Sequence, residues 1–271
     1  MPQFGLIVVG DEILSGKRKD KHFEKVVELL AARGLRLSWV HYVGDDREAQ
    51  AALLRATFAA DAAVFSCGGI GATPDDHTRQ AAAAALGVPL QLHPQAAELI
   101  AEACARRGQP DMSRPDNQQR LKMGEFPRGA RLVRNPFNQI PGFAVARHYF
   151  VPGFPVMAWP MIESILDEDF RVDFGSDRAV ERSMLVFEAA ESELVPSMEA
   201  VQARFPAVKV FSLPSIGDGV DGRPARRHVE LGVKGPEDVI EASFVELQRG
   251  VQRLGAPYRL DPDASSPPSG T

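Results

Sequence analysis

One segment of the chain, residues 66–79, combines three glycines with two adjacent carboxylates. The glycines allow backbone N–H groups to approach a ligand that a Cβ atom would block. An apolar strand over residues 62–65 precedes the segment and an Ala-rich helix follows it, and a helix N-terminus favours phosphate. Carboxylates repel phosphate unless a cation bridges them or one of them exchanges a proton. The segment therefore predicts a phosphorylated ligand together with a divalent metal. The residues concerned are Gly68, Gly69, Gly71, Asp75 and Asp76.

A purely structural interpretation of this segment is that Asp75 or Asp76 caps the helix and that the glycines form a tight turn. We expect one aspartate to cap, but one cap accounts for one carboxylate and leaves the three glycines unexplained. The spacing is neither the Gly-x-Gly-x-x-Gly dinucleotide fingerprint nor a P-loop, because no Gly-Lys-Ser/Thr follows. The functional interpretation is therefore favoured.

Acidic pairs follow each of the first three predicted strands: Asp11-Glu12, Asp45-Asp46 and Asp75-Asp76. In an open parallel sheet these positions are carboxyl ends of strands, where ligands bind. Mutual repulsion raises the pKa of some carboxylates in such a cluster, which is typical of a metal or acid–base site. The alternative is that each pair merely opens a helix, and local sequence favours this for Asp45-Asp46.

Two loops rich in Pro and Gly, residues 135–143 and 151–156, flank a predicted strand at 148–151. A Pro-Gly turn after a strand is rigid and exposes backbone N–H groups. Either loop could form the far wall of a ligand crevice or be a plain turn. Residues 10–16 suit contacts to the hydroxyl or amino groups of a ligand, although an ordinary strand-to-helix turn has a similar composition.

The elements that must position these residues alternate between strand and helix, which predicts right-handed crossovers and a parallel sheet. The predicted strands are 4–9, 35–43, 62–65, 131–133 and 148–151, and the predicted helices are 20–33, 47–60, 77–86, 94–107 and 157–170. The polar stretch 109–128 has no clear assignment.

A second pattern begins after residues 171–177. Strand, helix, strand, strand and helix are predicted at 182–187, 192–205, 208–213, 227–233 and 236–254, with a hairpin turn at 217–222. This order predicts a small α+β domain. We therefore expect an α/β domain over 1–172, a smaller α+β domain over 178–258 and a disordered tail over 261–271.

Composition narrows the class of protein. The chain has 271 residues, a net charge of −5 and two cysteines, Cys67 and Cys104. The acidic balance disfavours nucleic-acid binding, and the few cysteines fit a reducing cytoplasm. The N-terminus resembles no signal peptide, and no apolar run is long enough to span a membrane.

Together these residues resemble the molybdopterin-binding fold family, and within it the N-terminal part of the competence/damage-inducible CinA family. The resemblance covers residues 1 to about 170 well and residues 178–257 more weakly. It rests on Gly-Asp-Glu-Ile-Leu-Ser-Gly at 10–16, Val-Gly-Asp at 43–45, residues 68–76 with Thr78, Asn-Gln-Gln-Arg at 117–120 and Val-Pro-Gly-Phe-Pro at 151–155.

The resemblance implies a three-layer α/β fold with a mostly parallel sheet that binds a pterin, such as molybdopterin, or an adenine nucleotide across the strand ends. It implies that Asp45 and Asp76 hold a metal and that Asp45, Asp75 and Asp76 are catalytic. In CinA-type proteins the crevice is associated with hydrolysis of ADP-ribose with Mg²⁺, Mn²⁺ or Co²⁺, and such folds commonly form dimers or trimers. The ligand-binding residues implied are Gly10, Asp11, Glu12, Ser15, Gly68, Gly69, Gly71, Thr73, Thr78, Pro152 and Gly153.

This sequence departs from the CinA pattern at three positions. Ala72 replaces a usual Pro, Asp11 replaces Thr or Asn, and His22 replaces a common Asn. The C-terminal amidohydrolase domain of CinA is not expected here, so deamidation of nicotinamide nucleotide is not implied. Three hypotheses remain. The carboxylates favour a metal-dependent nucleotide pyrophosphatase, and the departures from the CinA pattern favour a non-catalytic pterin- or nucleotide-binding protein. The third is a module that binds RNA through the small domain, which the acidic chain disfavours.

Overall fold

The computed structural model describes residues 2–176, 179–215 and 227–260, and the chain divides into two units, residues 1–177 and 178–271. The hairpin turn predicted at 217–222 and the tail predicted at 261–271 lie outside the described residues. Within the described ranges, no helix combines the length and apolar character that crossing a lipid bilayer requires.

Strands of the first unit form one large sheet and one small pair. In chain order they are β1 (Gln3–Val9), β2 (Leu37–Val43), β3 (Ala62–Cys67), β4 (Leu90–Leu92), β5 (Glu125–Pro127), β6 (Arg131–Val133), β7 (Gly142–Val145) and β8 (His148–Val151). The large sheet has the order β2-β1-β3-β8-β7-β6. Strands β2, β1, β3 and β8 are parallel, whereas β7 and β6 are antiparallel to their neighbours. Strands β4 and β5 pair separately.

Helices cover both faces of the large sheet. They are α1 (Asp11–Leu14), α2 (His22–Ala31), α3 (Arg47–Phe58), α4 (Thr78–Leu86), α5 (Pro94–Arg106), α6 (Pro115–Leu121) and α7 (Pro155–Asp169). Leu30 of α2 and Ile162 of α7 belong to the core on one face, and Leu54 of α3 and Ala82 of α4 belong to the core on the other. Strands β1 and β3 are therefore buried on both faces, which explains their continuous apolar sequences.

The predicted fold class is confirmed: the sheet is mostly parallel and lies between two helical layers. Five α-helices and strands of the first unit were not predicted, one of them β4 between α4 and α5. The four-residue helix α1 begins directly at the first acidic pair, β7 begins within the Pro/Gly loop 135–143, and α6 and β5 lie in the polar stretch 109–128.

The second unit is an antiparallel sheet with two helices. Its elements are β9 (Ala179–Phe187), α8 (Glu191–Arg204), β10 (Lys209–Ser215), β11 (His228–Pro236), α9 (Glu237–Leu254) and β12 (Tyr258–Leu260), and the strand order is β10-β11-β9-β12. Leu194 of α8 and Leu247 of α9 share one core with Leu231 of β11. The predicted strand–helix–strand–strand–helix order is confirmed, and β12 is an additional edge strand.

Candidate functional site

A cavity of about 440 Å³ lies in the first unit at the carboxyl ends of β1, β2, β3 and β8. Most of the binding and catalytic residues predicted from the sequence line it. They are Gly10, Glu12, Asp45, Gly68, Gly69, Gly71, Thr73, Asp75, Asp76, Pro152 and Gly153. Asp11 and Ser15 instead line an adjoining pocket, which shares Glu12, Asp45 and Asp75 with the cavity. Thr78 lines neither.

The glycines of the loop after β3 are required by the fold itself. Gly68 has φ +110° and Gly69 has φ +67°, both in the region that favours glycine. A Cβ atom on Gly68 would lie 2.6 Å from the carbonyl oxygen of Val9, and one on Gly71 would lie 2.5 Å from a carboxylate oxygen of Asp76. Close packing against β1 and Asp76 therefore accounts for glycines that the sequence alone associates with ligand access.

Four carbonyl groups of this loop accept hydrogen bonds from other residues of the chain. The Thr78 hydroxyl donates to Gly68 O at 3.1 Å, and the Thr78 N–H donates to Gly69 O at 3.0 Å. Thr78 is 1% exposed, so it holds the loop from behind rather than facing a ligand. The buried Arg79 donates to Gly71 O at 2.5 Å and also to Lys122 O, and Gln119 donates to Ala72 O at 2.5 Å.

Most N–H groups of the same loop, unlike its carbonyl groups, have no hydrogen-bond partner in the described part of the chain. Within the described part of the chain, the N–H groups of Gly69, Ile70, Gly71 and Ala72 donate to no backbone or side-chain acceptor, whereas Gly68 N donates to Val151 O at 3.0 Å. Consecutive free N–H groups beside a cavity form an anion-binding concavity, and buried N–H groups require a partner.

Asp75 and Asp76 do not cap α4, so the expectation that one of them caps is wrong. His77 occupies the N-cap position, and no side chain accepts a hydrogen bond there. The physical reason is that both aspartates precede the N-cap position, and the Asp76 carboxylate is engaged by Thr73. Asp76 instead accepts from the N–H and the hydroxyl of Thr73 at 2.9 and 2.5 Å. Asp75 is exposed at the cavity, and the Thr73 hydroxyl lowers its pKa.

The second acidic pair divides between two roles. Asp46 is the N-cap of α3 and accepts from Ala49 N at 2.7 Å, so the helix-opening interpretation holds for this residue. Asp45 accepts from Asp11 N at 2.9 Å and its own N–H donates to Asp11 Oδ1 at 3.2 Å. This reciprocal pair joins the ends of β1 and β2.

Asp45 has a raised pKa. Desolvation is the largest cause of its raised pKa, and the charges of Asp11, Glu12 and Asp75 add to it, against the opposing hydrogen bond from the Asp11 N–H. Carboxylates from all three acidic pairs therefore act on one another at this edge of the sheet.

Both Pro/Gly-rich loops, 135–143 and 151–156, which the sequence offered as a far wall, line the cavity and give it an apolar surface, together with Met157 of α7. Ile140, Pro141, Phe154 and Met157 line it, and Phe154 is 59% exposed. Asn138 fixes the loop before β7 by accepting from Ile140 N at 3.0 Å. Such a surface suits the face of a flat ring.

The Pro152–Gly153 part of the wall is attached to α2. His22 Nε2 donates to Gly153 O at 3.0 Å, and burial lowers the pKa of His22 despite the opposing effects of this carbonyl and Asp20. His22, one of the three residues that depart from the CinA pattern, thus connects α2 to the cavity wall.

Two cations at the site were missed. Arg18 lines the cavity and Lys17 lines the adjoining pocket. Their signal in the sequence is the run Lys-Arg-Lys-Asp-Lys at 17–21, directly after residues 10–16.

A divalent cation was predicted at Asp45 and Asp76, and both line the cavity. Among the residues that the structure describes, no cluster of three or more His, Cys, Asp or Glu side chains has the geometry of a metal site. The carboxylate oxygens and the repulsion on Asp45 nevertheless fit a hard cation such as Mg²⁺, which commonly takes one or two carboxylates and completes its ligands with phosphate and water.

Comparison with known proteins identifies relatives. Residues 5–171 match the family described as the probable molybdopterin binding domain. A CinA-like protein of Anaeromyxobacter dehalogenans strain 2CP-C is 30% identical over 248 residues, which are 90% of this chain and 58% of that protein. A protein of Aeropyrum pernix is 30% identical over 265 residues, 94% of this chain and 95% of its own.

Among solved structures, the protein CinA, of unknown function, from Thermoplasma acidophilum matches with a TM-score of 0.53 and 27% identity, over 61% of this chain and 96% of that one. The present chain spans little more than half the length of the first CinA-like relatives that it matches.

Proposed function

The chain belongs to the family of probable molybdopterin binding domains, and from this membership we propose that its first unit binds a phosphorylated pterin or adenine nucleotide and hydrolyses the pyrophosphate of ADP-ribose. The predicted resemblance to CinA-like proteins is confirmed by the relatives. One observation carries the proposal: a single cavity has free backbone N–H groups and carboxylates on one side and an apolar wall on the other.

Each wall has its own role in this proposal. The N–H groups of Gly69, Ile70, Gly71 and Ala72 bind a phosphate, as a concave run of backbone donors does elsewhere. Phe154 and its apolar neighbours contact the ring of the ligand. The phosphate therefore lies at the carboxyl end of β3, and the ring lies toward β8 and the loop before β7.

The carboxylates provide the chemistry. Asp45 and Asp76 would hold a divalent cation, which when bound polarises phosphoryl oxygens as a Lewis acid. Asp75, exposed beside Asp45, accepts a hydrogen bond from the attacking water and orients it. Desolvation is the largest cause of the raised pKa of Asp45, but the carboxylates around Asp45 also contribute, and the assignment is supported because a bound cation would offset their repulsion.

Hydrolysis of ADP-ribose by the purified chain with Mg²⁺, Mn²⁺ or Co²⁺ tests the proposal. Asp45→Asn should lower turnover by about 100-fold or more, the order of magnitude typical of a lost catalytic group. Asp46→Asn is the matched control, because Asn also caps helices well and Asp46 is absent from the cavity lining. Unchanged turnover in Asp45→Asn would reject the role of this residue.

The second candidate is a protein that binds the same ligands without turnover. The observation that favours it is that both carboxylates assigned to the cation already accept hydrogen bonds from the protein, Asp45 from Asp11 N and Asp76 from Thr73. If the wild-type chain hydrolyses nothing with any of the three cations but binds molybdopterin or AMP in titrations, this candidate replaces hydrolysis.

A further inference from the structure

The basic segment, residues 16–21, is anchored at both ends. At its start the Arg18 N–H donates to Glu12 O at 2.9 Å. At its end the Asp20 carboxylate accepts from the N–H groups of His22 and Phe23, at 2.7 and 3.1 Å. The Asp20 carboxylate also accepts from the Tyr42 hydroxyl at 2.8 Å. The segment is therefore held between α1, which carries the first acidic pair, and α2.

Arg18 is the residue of this segment that lines the main cavity, whereas Lys19 lines neither the cavity nor the adjoining pocket. Glu12, Asp45 and Asp75 line the same cavity. Yet within the described ranges no carboxylate lies at ion-pair distance from the Arg18 guanidinium. The cavity thus contains a cation whose charge is not already neutralised by a protein partner.

The chemistry of guanidinium indicates what this cation binds. Its planar set of N–H donors matches phosphate oxygens in a bidentate geometry. The carboxylates of the cavity repel a diphosphate more strongly than a monophosphate, so the second phosphate has the greater need of a cation. In the proposed function the free N–H groups of the glycine loop bind one phosphate, which leaves the second phosphate to another group of the cavity.

We propose that Arg18 contacts the second phosphate of a diphosphate ligand and makes the site prefer nucleoside diphosphates over nucleoside monophosphates. This assignment rests on the proposed function, since it requires that a phosphorylated nucleotide binds in the cavity. Arg18 is therefore a specificity-determining residue.

Calorimetric titration of the full chain with ADP and with AMP, in the presence of Mg²⁺, tests the assignment. Arg18→Gln should weaken ADP binding by about tenfold or more, the effect of removing a charge-assisted hydrogen-bond pair, and should change AMP binding by less than about threefold. Arg18→Lys should restore part of the ADP affinity, because it keeps the charge but loses the bidentate geometry.

Lys19→Gln is the matched control, because it removes the same charge from the neighbouring position, and it should leave both affinities unchanged. Equal losses for ADP and AMP in Arg18→Gln, equal effects of Arg18→Gln and Lys19→Gln, or no loss at all would overturn the assignment while leaving the proposed function standing. If the wild-type chain binds neither nucleotide, the proposed function fails and the assignment fails with it.

Discussion

The buried His148 should make the first unit acid-sensitive. Its side chain is completely buried, Nδ1 donates to Ala146 O at 2.9 Å, and Nε2 lies 2.9 Å from the Thr57 hydroxyl, which donates to it when the ring is neutral. The ring also packs on Phe58 with a centroid separation of 4.3 Å. Burial lowers the pKa of His148 from 6.5 to about 4, against the smaller opposing effect of Ala146 O.

The lowered pKa of His148 determines the sign and size of the pH dependence of the unfolding free energy. The unfolded chain takes up a proton near pH 6.5, whereas the folded chain resists it until about pH 4. The stability that His148 contributes is therefore complete above pH 6.5 and is lost as the pH falls toward 4. A difference of this size corresponds to about 3 kcal/mol of unfolding free energy.

Urea unfolding between pH 4 and 7.5 measures this loss. Both tryptophans of the chain, Trp39 and Trp159, lie in the first unit, so their fluorescence reports its unfolding. His148→Gln should flatten the pH dependence by about 3 kcal/mol relative to the wild type, whereas the exposed His41→Gln should not. Parallel pH profiles for the wild type and His148→Gln, or an NMR titration of His148 near pH 6.5 in the folded chain, would refute the reasoning.

Two further predictions concern the glycine loop. Ala72→Pro removes one of the four free N–H groups and should weaken AMP binding by about tenfold, the effect of one hydrogen bond to a charged group. Ala72→Ser keeps the N–H group and should bind AMP normally in the same titration. Gly68→Ala should destabilise the first unit by about 2 kcal/mol or more in urea unfolding, because of the left-handed φ and the clash with Val9 O. Gly108→Ala, at φ +75° in open space, should cost only about 1 kcal/mol. Equal affinities of the two Ala72 variants, or equal costs at the two glycines, would contradict these expectations.

The central layer of the fold was predictable because its signals are local. Strands β1 and β3 are buried on both faces, and their sequences are continuous apolar runs. Asp46 capped α3 as local sequence suggested. In contrast, β7 and α6 lie in loops rich in Pro and polar residues, where no period of two or 3.6 is visible.

The acidic half of the site was predictable because every contributor follows a strand, so the topology of a parallel sheet brings them to one edge. The remainder depends on contacts between distant positions. Arg79 and Gln119 reach loop carbonyls 8 and 47 residues away in sequence, and Arg18 reaches the cavity because its segment is anchored by Glu12 and Asp20. The absence of an aspartate cap on α4 also depends on the folded loop, since His77 takes the N-cap position and Thr73 engages the Asp76 carboxylate.

Among the described residues, the N–H groups at 69–72 of the loop after β3 have no protein acceptor, whereas carbonyls of the loop accept from Thr78, Arg79 and Gln119. The proposed phosphate contacts depend on main-chain donors, so the side chains of Ile70 and Ala72 can be exchanged for any residue except proline without deleting a donor. Substitution of Asp45 or Asp75 would therefore remove the proposed catalysis and leave the proposed phosphate contacts in place. Such variants would differ from the present chain in chemistry rather than in the class of ligand that they bind.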